Sequence, residues 1–445
     1  FVLSGPSDAL SEVRGVGGVE AAERNVKFTL ERPRLEQSVQ STEVEETTFY
    51  EERLWDKQIT RSVEANDLAT GEGSKIAIID TGSDYRHPDL APNLDKDAGR
   101  RFKNGSIDSG EEEDIVVGRP VPEESKLDFE IDFVEQHVAD DVEGHGTHVA
   151  GIAAASDTQG AVGTGVLGTA PRAEFAPFRV FWWIKVGDDE DPVDERWAPT
   201  TTTADILTAI DYAAANDYDA VNLSLGTPPL PPQVNREPFV RAYKQVIQSA
   251  VARGTVVAAS AGNAGTDLGR RGLFTLPNSV AGAVSVSATG PNDELAFYSN
   301  FGTSEIDVGA PGGGYETLEK TLSAETEWPF PTNLIFSTIS PRVEGAAYGY
   351  KAGTSMAAPQ VAGLAALVRA LDTGASARTV ESLVKLGADG AKGRSDAALG
   401  AGRIDARDPV GRGQPGAEGV LHQRPVGVVD RLGPGKIRQD PVAPR

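Results

Sequence analysis

The chain has 445 residues, of which 39% are hydrophobic, and its formal net charge is −24. This length and composition allow one large domain or two to three smaller ones. The chain has no cysteine, which excludes disulfides and thiolate metal sites. The acidic balance without a basic block argues against nucleic-acid binding, and we expect no membrane span because no apolar stretch is long enough.

The predicted elements alternate between strands and helices. A short strand is predicted at 25–30, and the β-branched run 75–79 predicts a buried parallel strand whose carboxyl end carries Asp80. The runs 220–225 and 255–259 repeat this pattern, with helices predicted over 204–216 and 237–253. Such alternation indicates an α/β fold with a mostly parallel central sheet flanked by helices.

Less regular segments separate or follow these elements. Surface loops or insertions are predicted at 96–141, 187–199 and 312–333. After residue 406 the chain is rich in Gly, Pro and Arg, which predicts an extended or disordered tail. We therefore divide the chain into an N-terminal arm (1–48), a main domain (49–410) and a C-terminal tail (411–445).

Ser355 lies where a Gly-containing segment turns into an apolar helix. The residues that continue the helix recur at helical spacing: Val361, Leu364, Val368 and Leu371. Unpaired N–H groups at a helix N-terminus favour a developing oxyanion, although Ser is equally typical of an ordinary N-cap. Pro359 is predicted close to the helix start, where its missing N–H costs least.

Three further polar residues lie at the ends of predicted buried elements. Asp80 ends a strand, His145 lies between glycines at the start of an Ala-rich helix, and Asn263 follows a strand in a Gly-rich loop. Each alone is a weak signal, since Asn is common in such turns. With Ser355 they supply a base, an acid that orients it, a hydroxyl nucleophile and a hydrogen-bond donor.

These four blocks resemble, in the same order, those of the subtilisin-like serine proteases, or subtilases. The blocks are 79–82 with 87–90, 143–151, 261–263 and 353–359, within a match over roughly 55–406. The resemblance implies a three-layer subtilisin-like fold and a serine endopeptidase with the triad Asp80, His145 and Ser355. It also implies that Asn263 binds the oxyanion.

The resemblance further implies how an extended polypeptide substrate binds. One backbone edge for the substrate would be formed by Ser224, Leu225 and Gly226. A wall of the primary specificity pocket would be formed by Ser260, Ala261 and Gly262. The small side chains predict a roomy, apolar pocket. The acidic run 188–191 either favours basic residues upstream of the cleaved bond or is simply a solvated insertion.

Asp89 matches a calcium ligand of many subtilisin-like proteins, so the resemblance implies a structural calcium ion, with no cofactor required for the chemistry. The loop that would supply the other ligands, 156–168, is longer than the usual pattern. His148 shares a helix face with His145 but has no third ligand at a matching spacing, so we interpret it as a packed, hydrogen-bonded residue. We interpret His87 as structural.

Residues 10–25 resemble the end of a subtilisin-type propeptide, which implies an intramolecular inhibitor and chaperone; an ordinary N-terminal arm is the alternative. We expect a secreted monomer, with no signal peptide in this chain.

Within the protease interpretation, a general degradative enzyme competes with a dedicated processing protease, and the long insertions favour selectivity. A catalytically inactive binding protein on the same fold is the alternative outside it.

Overall fold

The computed structural model describes residues 9–16, 22, 25–30, 36–39, 53–120, 129–156, 165–186, 196–323, 332–390 and 396–413. The helices in these ranges are α1 (Leu10–Arg14), α2 (Trp55–Ile59), α3 (Ser62–Asn66), α4 (His145–Ala154), α5 (Thr203–Ala215), α6 (Pro238–Arg253), α7 (Leu318–Leu322), α8 (Pro341–Glu344), α9 (Thr354–Leu371), α10 (Ala377–Gly387) and α11 (Arg407–Arg412). The strands are β1 (Lys27–Thr29), β2 (Glu36–Val39), β3 (Lys75–Asp80), β4 (Arg100–Lys103), β5 (Ser106–Asp108), β6 (Glu111–Pro120), β7 (Phe129–His137), β8 (Glu174–Arg179), β9 (Trp182–Val186), β10 (Arg196–Thr202), β11 (Ala220–Leu223), β12 (Val256–Ser260), β13 (Ala283–Thr289), β14 (Val308–Pro311), β15 (Ile335–Thr338), β16 (Tyr348–Lys351), β17 (Asp389–Gly390) and β18 (Gly402–Arg403).

A large central sheet has the strand order β17-β18-β14-β13-β12-β11-β3-β8-β4-β5. The pairs from β18 to β4 are parallel, and the outermost pairs, β17 with β18 and β4 with β5, are antiparallel. The three predicted β-branched strands lie side by side at its centre as β3, β11 and β12. The predicted α/β fold with a mostly parallel sheet is therefore confirmed.

The register of the central strands brings their carboxyl ends to one edge. Leu223 of β11 pairs with Ile79 on one side and with Ala259 on the other. The residues that follow in the chain, Asp80 and Ser224, therefore stand at the same level. This is the edge at which open α/β sheets collect their functional groups.

Two pairs of helices pack on the sheet. Helix α4 packs against α9, which also contacts β11 to β14, and α5 packs against α6, which contacts β12. Residues 354–368 of α9 are all buried, so its apolar residues are not confined to one face. Helices α5 and α6 correspond to the helices predicted over 204–216 and 237–253, and α4 and α9 to those predicted to begin near His145 and Ser355. None of the described helices combines the length and apolar character needed to cross a bilayer.

The segment 96–141, predicted as a surface loop or insertion, is not a loop, because it contains four strands. Strands β4 and β5 extend the central sheet, and β6 and β7 form a separate antiparallel hairpin. Ile115 and Val117 are buried in a small apolar cluster with Trp183 of β9. The acidic run at 111–114 conceals this strand in the sequence, since such runs are typical of solvated loops.

Two smaller sheets include N-terminal residues. Strand β1, which the sequence predicts, pairs antiparallel with β10, and β2 pairs antiparallel with β16. The predicted loop 312–333 contains α7, and the loop 187–199 ends within β10. The prediction of an irregular tail is wrong for 407–412, which form α11. The remaining tail, 414–445, and the acidic run 188–191 lie outside the described residues.

Candidate active site

Asp80 and His145 form a hydrogen bond at the carboxyl edge of the sheet. Nδ1 of His145 lies 2.7 Å from Oδ1 of Asp80, and both side chains are buried. The same Oδ1 accepts the backbone N–H of Thr81 at 2.7 Å. Because burial keeps water away, the carboxylate interacts more strongly with the imidazole than it would at a surface, and it fixes the ring's orientation.

Ser355 is the second residue of α9 and faces the end of β11. Its hydroxyl donates a hydrogen bond to the carbonyl oxygen of Ser224 at 3.3 Å. The hydroxyl of Ser224 donates in return to the carbonyl oxygen of Ser355 at 2.7 Å. The N–H of a residue at this helical position has no acceptor within the helix, which suits it to binding an anion.

Pro359 lies well inside α9 rather than near its start, so that part of the prediction is wrong. A proline in a helix interior removes the hydrogen bond to the carbonyl four residues earlier, which here is the carbonyl of Ser355. The hydroxyl of Ser224 supplies the missing donor. The proline therefore frees the carbonyl through which the helix is attached to β11.

Thr354 fixes the side chain of Asn263. Oδ1 of Asn263 accepts hydrogen bonds from both the N–H and the hydroxyl of Thr354, each at 2.9 Å. The hydroxyl of Thr354 also accepts the N–H of Gly262 at 3.1 Å. With its oxygen engaged, the asparagine is left with its NH₂ group as the part that donates to a ligand.

Asn263 and Ser355 line one cleft. Both segments predicted to bind substrate line it as well: Ser224, Leu225, Gly226, Ser260, Ala261 and Gly262. The described lining residues include no charged side chain, but about half of them carry a hydroxyl or amide group. The cleft is therefore uncharged, and its apolar character stays a prediction. Asp80 and His145 are not among them, although α4, which begins at His145, packs against α9.

Strand β1 forms one side of this cleft. Phe28, Thr29 and Leu30 are among its lining residues. The N–H of Leu30 donates to the carbonyl of Pro199 at 3.1 Å, which continues the pairing of β1 with β10. The sequence predicts this strand but not its position beside the cleft. The N-terminal part of the chain therefore covers part of the cleft.

Sequence reasoning missed Thr81, Asp141 and Thr354, all of which are buried and hold site residues in place. Asp141 stands four residues before His145, and its carboxylate accepts hydrogen bonds around the start of α4. A signal for it existed, because Asp is favoured just before a helix. Thr81 and Thr354 stand directly beside predicted residues in the sequence, but their partners are distant along the chain.

The two other histidines of the motif blocks are packed against backbone carbonyls. Nε2 of His148 lies 3.2 Å and 3.3 Å from the carbonyl oxygens of Ile335 and Gly349. Nε2 of His87 lies 2.8 Å from the carbonyl oxygen of Ala347, and burial lowers the pKa of His87 below 6.5. These contacts agree with the interpretation of both residues as structural.

Asp89 is buried and has one engaged and one free oxygen. Oδ2 accepts hydrogen bonds from the N–H of Val166 and the hydroxyl of Tyr348, both at 2.9 Å. Oδ1 accepts none from the described residues. Within the described ranges no group of three or more His, Asp or Glu side chains is arranged to hold a metal, and residues 157–164 lie outside them. Oδ1 of Asp89 is therefore a buried carboxylate oxygen available to a cation such as calcium.

Comparisons with known proteins agree on one family. The family model described as the subtilase family matches residues 71–402. The thermophilic serine proteinase of Bacillus sp. (strain AK1) is 32% identical over 323 residues, which are 72% of this chain and 58% of that protein. Thermitase of Thermoactinomyces vulgaris is 30% identical over 344 residues, 77% of this chain and 90% of that protein. The extracellular protease of Xanthomonas campestris pv. campestris is 31% identical over 355 residues, 76% of this chain and 51% of that protein.

Solved structures show the same fold. The epidermin leader peptide processing serine protease of Staphylococcus aureus aligns with a TM-score of 0.61 at 24% identity, covering 84% of this chain and 83% of that chain. A lanthipeptide protease aligns with a TM-score of 0.58 at 23% identity, covering 81% of this chain and 94% of that chain. At such identities the likeness supports the three-layer fold alone.

Proposed function

The chain belongs to the subtilase family and is a subtilisin-like serine protease, and on this premise we propose that it is an endopeptidase acting on extended polypeptides through an acyl-enzyme. The observation that carries the proposal is the 2.7 Å contact between Nδ1 of His145 and Oδ1 of Asp80. Helix α4, which begins at His145, packs against α9, whose second residue is Ser355. A buried acid, an imidazole and a helix-terminal hydroxyl are the groups that this type of acyl transfer requires.

In the first half of the reaction, the hydroxyl of Ser355 turns from the carbonyl of Ser224 to Nε2 of His145. Nε2 then takes the hydroxyl proton as Oγ attacks the scissile carbonyl carbon. Asp80 holds the proton on Nδ1 and stabilises the imidazolium. When the tetrahedral intermediate collapses, the C–N bond breaks and His145 returns the proton to the leaving amine. Water then attacks the acyl-enzyme with the same base, which releases the acid product and restores Ser355.

The oxyanion of each tetrahedral intermediate would be bound by two donors. One is the NH₂ group of Asn263, and the other is the backbone N–H of Ser355 at the start of α9. The double contact of Thr354 with Oδ1 supports this role, because it orients the amide before substrate arrives. Such preorganisation avoids reorientation of the donor during the reaction.

The substrate would bind as an added strand. Ser224, Leu225 and Gly226 provide one backbone edge, and β10 provides the other, which β1 already uses for antiparallel pairing. The primary pocket lies against the segment from Ser260 to Gly262. Its lining of small, uncharged side chains favours apolar residues in the substrate.

The N-terminal arm would act as an intramolecular inhibitor. Strand β1 lines the cleft, and β2 pairs with β16, which lies shortly before Ser355 in the chain. An extended substrate needs the edge of β10 that β1 covers. The arm therefore competes with substrate for that edge, as expected for a propeptide remnant.

Two finer properties remain proposals. The β6–β7 and β9–β10 hairpins, which contact each other, favour a selective processing protease over a general degradative one, because structure built around a rigid scaffold sets specificity. Secretion is supported by the relative named as an extracellular protease. The presence of Asp80, His145, Asn263 and Ser355 together speaks against an inactive binding protein.

Structural calcium would bind through Oδ1 of Asp89 and supply stability rather than chemistry. Added calcium should raise the Tm of the native chain, and EDTA should lower it. Asp89→Asn should abolish this difference. Equal Tm values for the wild type with calcium and with EDTA would rule out the site.

Digestion of a proteome-derived peptide library, read by mass spectrometry, tests the proposed activity. Wild type should produce cleavages with apolar residues before the cleaved bond, and Ser355→Ala should produce almost none. Equal cleavage by both proteins would refute the catalytic role of Ser355. A profile dominated by charged residues before the cleaved bond would refute the apolar pocket.

A further inference from the structure

Helix α4 begins at His145 with an unusual set of hydrogen bonds. The preceding residue, Gly144, has φ 100° and provides no side-chain cap. The N–H of His145 donates instead to Oε2 of Glu143 at 3.0 Å, and the N–H of Gly146 donates to the hydroxyl of Thr81 at 2.8 Å. The first N–H groups of the helix, which have no acceptor within it, are therefore bound by side chains outside it.

Asp141 is the centre of this arrangement. Its Oδ1 accepts the N–H groups of Glu143 at 3.0 Å and Gly144 at 2.8 Å, and its Oδ2 accepts the N–H of Thr147 at 2.8 Å and the hydroxyl of the same threonine. Asp141 is 2% exposed, so these contacts form away from water. A carboxylate at a helix N-terminus is also stabilised by the helix dipole.

Thr81 connects Asp141 to the proposed triad. Its hydroxyl donates to Oδ1 of Asp141 at 2.8 Å while accepting the N–H of Gly146. Its own backbone N–H donates to Oδ1 of Asp80, the oxygen that contacts His145. One residue therefore touches both the acid of the triad and the helix turn that carries the base.

We propose that Thr81 and Asp141 are positioning residues that set the imidazole of His145 against Asp80. Their contacts fix the start of α4 relative to the end of β3, which determines the distance and angle between the two triad side chains. A displacement of about 1 Å at such a site costs up to about 10²-fold in rate. The proposal rests on the proposed triad and adds two residues that touch neither substrate nor the reacting atoms.

The test compares Thr81→Val with Thr81→Ser. Valine keeps the shape of threonine but has no hydroxyl, whereas serine retains it. Thr338→Val is the matched control, because the buried Thr338 hydroxyl donates at 2.8 Å to the carbonyl of Thr147, on the same helix, without contacting Asp141. Folding of each variant is verified by its denaturant midpoint. Asp141→Asn, which replaces the acceptor of the Thr147 N–H, serves as a second variant should Thr81→Val not fold.

The readouts are kcat, KM and the low-field NMR resonance of the proton on Nδ1 of His145. Thr81→Val and Asp141→Asn should lower kcat by about 10–10²-fold with little change in KM, and shift that resonance. Thr81→Ser and Thr338→Val should leave both near wild-type values. If the folded Thr81→Val and Asp141→Asn enzymes match Thr338→Val in kcat and in the resonance, the positioning role is refuted. Full activity of Ser355→Ala would instead refute the proposed function itself.

Discussion

Ser224 and Ser355 exchange two hydrogen bonds across the end of the central sheet: each hydroxyl donates to the other residue's carbonyl, at 2.7 Å from Ser224 and 3.3 Å from Ser355. The first bond satisfies a carbonyl that Pro359 leaves without its helical donor. The second directs the proposed nucleophile toward the backbone edge expected to bind substrate. Pro359, the substrate-binding segment that begins at Ser224, and the nucleophile Ser355 are thereby linked.

This link predicts the effect of Ser224→Ala on stability. The substitution leaves the carbonyl of Ser355 buried without a donor, so the free energy of unfolding should fall by about 1–3 kcal/mol. In a Pro359→Ala background, which restores the helical N–H, the same substitution should cost clearly less. Denaturant titrations of the four proteins give both values, and an equal cost of Ser224→Ala in both backgrounds would contradict the explanation.

Asn263→Ala should lower kcat by about 10²–10³-fold, the loss known for removing the equivalent donor in subtilisin. KM should change little, because the donor acts on the transition state more than on bound substrate. Asn333→Ala is the control, since that buried asparagine donates to the carbonyl of Thr321 at 3.1 Å and does not line the cleft. A rise in KM at unchanged kcat would assign Asn263 to substrate binding instead.

Phe28→Glu should relieve inhibition by the N-terminal arm. A charged side chain at position 28 is unfavourable in the uncharged cleft that Phe28 lines, so β1 should leave the cleft more often. The rate of peptide cleavage should then rise by about 10-fold. Lys27→Glu is the matched control, because Lys27 is exposed on the same strand and does not line the cleft. Identical cleavage rates for the two variants would show that β1 does not limit access.

His137 should make the fold sensitive to mild acid. Burial, and next the Lys96 ammonium, lower its pKa below the ordinary 6.5, while Glu111 opposes them. Its Nδ1 accepts the N–H of Ala139 at 3.2 Å, which a protonated ring cannot do. As the pH falls through 6.5 toward the lowered pKa, the unfolded chain binds a proton that the native chain does not, so stability falls.

His137→Gln removes the group that binds this proton, so the stability of the variant should fall less as the pH is lowered. Thermal unfolding of both proteins across mildly acidic pH measures how Tm changes with pH in each. The two proteins should differ in this pH dependence only below the ordinary histidine pKa. A constant difference in Tm at every pH would show that the substitution acts through packing alone.

The sequence predicts the centre of the molecule better than its periphery. The strands that end at Asp80 and before Ser224 consist mostly of β-branched or apolar residues, with Asn222 as the exception in the second strand. Such runs are typical of buried parallel strands. The β6–β7 hairpin was missed because acidic residues precede Ile115 and Val117, whose partner Trp183 comes far later in the chain. Its stability depends on a tertiary contact that no local pattern reports.

Side-chain placement within the site follows the same division. Asp80, His145, Asn263 and Ser355 stand out because polar groups at the ends of buried elements are informative. Thr81 and Asp141 do not, since the hydrogen bond between them joins residues 60 apart in sequence. The position of Pro359 inside α9 is not predictable from local sequence. The carbonyl of Ser355, which lacks its helical donor because of Pro359, accepts instead from the hydroxyl of the distant Ser224.

Labelling with a fluorophosphonate probe, followed by peptide mapping, tests the central claim most directly. The probe forms a covalent bond with a serine hydroxyl only where a neighbouring base activates it. We expect one adduct, on Ser355, in the wild-type protein, and almost none in folded His145→Ala. An unlabelled but folded wild-type protein, or an adduct on another serine, would contradict the assignment of Asp80, His145 and Ser355 as a catalytic triad.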